Sequence, residues 1–187
     1  MSTKKRYVIL TPYPEALILA GVAALHELEA TILATPNGAV LVRDLPAPEY
    51  TDWDISELLG GGDEAVSAGA KEGEASTASV SDDPIAVAKI FSRLSAYGVV
   101  LFQAELGDGV GGEEGVSGLV RAQRVVRGEL GEEIPAGLII NTLDDELEAL
   151  VLGSKPLEEI DPQLIRPEDY PQAVQALQAR MAGGENQ

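Results

Sequence analysis

Three glycines, Gly107, Gly109 and Gly112, stand in G-x-G-x-x-G spacing within the run FQAELGDGVGGEEGVSG. That spacing lets a backbone approach a pyrophosphate closely and aims the unpaired N–H groups of a following helix at it. The apolar run before these glycines reads as a strand, and the segment after them, Val116 to Leu130, reads as a helix ended by Gly131. The context therefore fits a dinucleotide loop, but the side chains oppose it. Asp108, Glu113 and Glu114 would set carboxylates where a pyrophosphate must lie, and the ribose-binding acid expected about 20 residues further on has no good counterpart. A mobile connection is the expected reading and a nucleotide loop the alternative. The acids do not have the spacing of an EF-hand calcium loop.

Other reactive types are sparse. The chain has no cysteine and one histidine, His26, so disulfides, thiolate catalysis and the usual structural zinc sites are excluded. His26 sits on an apolar helical run, where it reads as structural, and no G-x-S-x-G elbow accompanies it. Arg121, Arg124 and Arg127 recur every three residues on the expected helix and form a basic stripe able to fork carboxylates or phosphates. Such a stripe can equally neutralise the protein's own acids; if any surface meets a partner, this is the one expected to do so.

These groups must be positioned by elements that the pattern of apolar residues suggests. RYVIL, Arg6 to Leu10, reads as a strand stopped at TPYP, and Glu15 to Glu29 as a largely buried helix. ATILATPNGAVLVRD reads as a hairpin around Pro36-Asn37-Gly38, and TDWDISELL as a short helical segment. Residues 60–83 are rich in glycine and acids and are expected to be a disordered insertion. Asp83 then caps a helix with Pro84 in its first position, VVLFQAEL is a strand, and GLIIN reads as a central strand. Thr142 and Asp145 resemble a capping box for a helix over Leu143 to Val151, with a strand at Glu146 to Leu152 as the alternative. A last helix runs through Val174, Leu177 and Met181 before a frayed end at 183–187.

Alternation of strands and helices predicts an α/β fold: one layered domain over 1–187 with a mixed, mostly parallel sheet of about five strands, an antiparallel edge hairpin and helices on both faces. In such a sheet the carboxyl ends of parallel strands would bring Thr11, Tyr13, Gly107, Asp108, Gly109, Gly112, Asn141 and Thr142 to one crevice. Asp108, Asp144 or Asp145 would carry any acid–base step there, although Asp144 and Asp145 also suit the first turn of a helix.

With 31 acidic against 13 basic side chains, the net charge is −18, which repels nucleic acid and anionic membranes and leaves basic surfaces as candidate partners. The basic start, MSTKKRYVIL, resembles a secretory leader, but Pro12, Pro14 and Glu15 interrupt its apolar region, so a cytoplasmic protein is expected. The leading expectation is a non-catalytic binding or adaptor protein acting through protein contacts, with no cofactor and no metal. The alternative is a small enzyme or nucleotide binder using the strand-end crevice.

Overall fold

The computed structural model describes residues 4–45, 79–108, 114–116, 120–160 and 164–183. The short helix expected around Trp53, most of the expected disordered insertion (60–78) and residues 184–187 lie outside the described residues.

Apolar runs at the first four strands and more polar segments at the last three become one sheet. They are β1 (Lys4–Leu10), β2 (Thr31–Thr35), β3 (Gly38–Leu45), β4 (Val99–Asp108), β5 (Glu114–Val116), β6 (Arg121–Val126) and β7 (Glu129–Ile134). Five helices accompany them among the described residues: α1 (Ala16–Leu25), α2 (Pro84–Ser92), α3 (Ala136–Ile140), α4 (Asp145–Leu152) and α5 (Tyr170–Gly183). The sheet order is β2-β3-β1-β4-β6-β7, with β5 also paired to β4.

Every pairing in that sheet is antiparallel, which overturns the mostly parallel sheet expected from the sequence. The cause lies in the connections. Helix α1 leads from β1 to β2, but β3 inserts between those two strands, and α2 leads from β3 to β4, but β1 inserts between them. Each strand–helix–strand unit is thus split, as in the ferredoxin-like β-α-β-β-α-β arrangement. The hairpin β4–β5/β6 and then β7 extend that unit at one edge.

Alternation of strands and helices is what suggests parallel pairing, and the unbroken apolar runs of the strands agree with it, yet that apolarity reflects burial on both faces. Tyr7, Ile9, Leu41 and Leu101 pack with α1, α2 and α5 on one face. Val8, Val40, Val42 and Phe102 pack with α3, α4 and the turn ending at Ile160 on the other. A strand covered twice reads as an unbroken apolar run whatever the direction of its neighbours.

Capping chemistry fixes the starts of α2 and α4, at the expected residue in the first and at a different one in the second. Asp83 Oδ1 accepts from the backbone N–H groups of Ile85 and Ala86, both at 3.0 Å, and Pro84 opens α2. Asp144 Oδ1 accepts from the N–H of Leu147 at 3.0 Å and Gly153 closes α4 in the left-handed region, so Asp144 rather than Thr142 is the cap, and 145–152 is helix, not strand. The β2–β3 hairpin turns at Pro36-Asn37 as expected. Ser79 to Asp83, the end of the expected insertion, is structured: a 3-10 turn buries Ser81, whose carbonyl accepts from the Tyr7 hydroxyl at 2.8 Å.

Two assignments are corrected. GLIIN, expected as a central strand, supplies α3, because Pro135 turns the chain and a five-residue apolar run is too short for its period to show. The expected helix from Val116 to Leu130 is instead β5, β6 and the start of β7. Arg127 and Gly128 both have positive φ, the signature of a type I′ hairpin turn, and Gly131 lies at a bulge opposite Arg124.

Candidate functional site

The antiparallel register dismantles the expected crevice. Leu10 pairs with Val100 and Lys4 with Leu106, so Thr11 leaves β1 at one end of the sheet while Gly107 and Asp108 lie at the other, roughly 20 Å away at the rise of a strand. Asn141 and Thr142 are exposed beyond α3, whose Ile140 packs against the face opposite α1. Thr11 and Tyr13 fasten the hairpin: Thr11 Oγ1 donates to the Ala39 carbonyl at 2.7 Å, and the Ala39 N–H donates to the Tyr13 carbonyl at 2.6 Å. The glycine run joins two antiparallel strands, with Gly107 opposite Gly115 and Asp108 opposite Glu114. A strand follows it where a phosphate loop needs a helix start. Gly109 and Gly112 themselves lie outside the described residues. His26 is exposed at the end of α1, where its backbone N–H bonds the Val22 carbonyl.

The arginines are also redistributed. Residues three apart share a face on a helix but point to opposite faces of a strand. Arg121 therefore lies on the side of α2, Arg124 on the side of α4, and Arg127 in the turn, although all three are exposed as expected. No single stripe exists.

A different surface gathers two of them. The β6–β7 turn is stapled to the end of α2 by Ser92, which is fully buried: its carbonyl accepts from the Arg127 N–H at 3.2 Å and its hydroxyl from the Gly128 N–H at 2.8 Å. The adjoining turn is held as firmly. Ser95 Oγ accepts from the Tyr97 N–H at 3.1 Å, and the Arg124 guanidinium donates to the Tyr97 carbonyl at 3.2 Å. Gly98 adopts φ 72, and a Cβ there would stand 2.2 Å from the Val125 carbonyl oxygen, so only glycine lets the turn lie this close to β6.

These fastenings hold up three of the large apolar or aromatic side chains that are exposed among the described residues. Tyr97 is 77% exposed, with Leu94 and Leu130 each more than two-fifths exposed at the same end of the molecule. Arg93, beside Gly128, and Arg127 are exposed there and make no side-chain ion pair among the described residues. The sequence offers Arg124 and Arg127 but hides Arg93 and Tyr97, since their proximity depends on a hairpin whose residues carry the spacing of a helix. The dipeptide Arg127-Gly128, with Val125-Val126 before it and Leu130 after, was the signal that could have exposed it.

The groups with displaced protonation are structural. Burial raises the Tyr7 hydroxyl well above its usual range and pushes Tyr170 up to about 12. Tyr7 serves the Ser81 carbonyl and Tyr170 the Ala30 carbonyl, each tying a connecting segment to the core. Among the described residues no three acids or histidines form a metal-binding group, and no helix is long and apolar enough to cross a membrane. Comparison of the chain with protein-family models, curated proteins and solved structures finds no match.

Proposed function

We propose that this protein is a non-catalytic binding protein that docks an acidic, partly apolar protein surface through the patch around Tyr97. The observation that carries this reading is an exposed tyrosine on a hydrogen-bonded turn, flanked by Arg93, Arg124 and Arg127 in a chain of net charge −18. Tyrosine and arginine are the residues most enriched where binding energy concentrates. A patch fastened before binding also loses little entropy on docking. Local positive charge on an acidic molecule orients an acidic partner, because the rest of the surface repels it.

The test selects peptides from a random display library on the immobilised full chain. The expected outcome is enrichment of peptides that combine acids with one or two apolar residues. Binding should fall by about 2 kcal/mol on Tyr97→Ala, the usual size of an interface anchor, and should be lost on Arg93→Glu with Arg127→Glu. Enrichment of basic peptides, or acidic peptides indifferent to Tyr97→Ala, would refute the reading.

A further inference from the structure

At the opposite end of the sheet a groove of about 560 Å³ opens beside the start of α2. Its floor is the face that carries α1 and α2, at the point where Lys5, Gln103, Glu105 and Arg121 succeed the apolar core at Tyr7; Leu45 and Pro84 form its wall. We infer that this groove binds a small organic molecule carrying one carboxylate on an apolar body. The inference is independent of the partner patch, since neither Tyr97 nor Arg127 reaches this end.

Three observations support it. The register places Gln103 opposite Arg121, with the buried Tyr7 on the other side of Gln103, so one row across β4 and β6 presents an amide and a guanidinium on one face. Arg121 is exposed and makes no ion pair among the described residues, leaving its planar fork available for bidentate contact with a carboxylate. Lys5 pairs with Glu105 at 3.8 Å in the next row, so that lysine is engaged and Arg121 is the cation left to face a carboxylate.

The groove's volume lies within the range of roughly 300–1,000 Å³ that small ligands occupy, and Leu45 and Pro84 supply an apolar wall. Arg6, although it borders the groove, is committed elsewhere, to Asp44 and the Leu150 carbonyl. Arg121 is thus the anchoring cation and Gln103 its neighbour.

The experiment titrates 4-phenylbutyrate, its neutral amide and inorganic phosphate into the full chain, read by backbone amide shifts and calorimetry. Phenylbutyrate is expected to saturate and to shift amides around 103 and 121, with the neutral amide about tenfold weaker for want of a charge-assisted fork. Arg121→Gln should weaken phenylbutyrate about tenfold with unchanged thermal unfolding, and Arg121→Lys should fall between, keeping charge without the planar fork. Phosphate binding as tightly as phenylbutyrate would overturn the ligand class. Failure of phenylbutyrate to saturate, or saturation untouched by Arg121→Gln, would overturn the site.

Discussion

The Arg6 guanidinium and the Asp44 carboxylate meet as a two-pronged fork across β1 and β3, Nε to Oδ1 at 2.5 Å and Nη2 to Oδ2 at 3.0 Å. The remaining prong donates to the Leu150 carbonyl at 3.0 Å and so ties α4 to the sheet. The partners are unequal, for the Arg6 side chain is 5% exposed and that of Asp44 34%. Removing the carboxylate strands a buried charge, whereas removing the arginine strands a carboxylate that water still reaches. Asp44→Ala is therefore expected to cost about 3 kcal/mol and Arg6→Met less, about 1–2 kcal/mol. Urea unfolding of the two variants checks this, and the reverse order would contradict the account.

Alkaline pH should unfold the protein through its buried tyrosines. Tyr7 and Tyr170 keep their protons in the folded state well above the value of 10.0 expected when unfolded, Tyr170 to about 12 and Tyr7 beyond. Their contribution is complete below about pH 10, declines as the unfolded state begins to release protons, and is lost as pH rises through the folded-state values. The denaturant midpoint is expected to fall above pH 10, and Tyr170→Phe should make that fall shallower. A midpoint that stays level to pH 12 would disprove the coupling.

The β6–β7 turn allows stability and binding to be separated. Arg127 is a non-glycine residue at φ 53, and Asn-Gly suits a type I′ turn better than Arg-Gly. Arg127→Asn is expected to preserve or raise stability, by up to about 1 kcal/mol, while weakening capture of acidic peptides. Parallel loss of both would show that Arg127 acts through the fold and not through a partner.

Gly98→Ala should act on the patch from behind. The substitution forces a Cβ against the Val125 carbonyl at φ 72, and a cost of about 1–3 kcal/mol is expected. The Tyr97 amide resonance should move with it. A variant as stable as the parent would mean that the turn has room the structure does not show.

Asp144 offers a test of capping against hydration. One oxygen caps α4, and the other is buried without a partner among the described residues, beside a cleft of about 30 Å³ lined by Thr35 and Glu146. That volume holds one water, and a crystal structure is expected to show it bonded to Oδ2. Asp144→Ala should cost about 1 kcal/mol for the cap and leave the cleft empty.

Much of the chain is legible without its fold, for a stated reason in each case. Asp83-Pro84 starts a helix because the capping oxygen and the fixed proline ring act on neighbouring residues, and Pro36-Asn37-Gly38 turns a hairpin because its dihedral demands are local. The apolar runs at Val8, Val42 and Phe102 mark strands buried on both faces, since burial depends on what covers a residue. Strand direction is another matter. It depends on which strands are neighbours, and β3 inserting between β1 and β2 converts an apparent parallel unit into an antiparallel sheet without altering a residue of either strand. The same holds for the candidate sites. Arg121, Arg124 and Arg127 would make one stripe at the period of a helix, but at the period of a strand they divide between a groove at one end of the sheet and the Tyr97 patch at the other. Side-chain type and spacing are legible in the sequence, and only the tertiary pairing of β6 with β4 and β7 decides where those side chains stand.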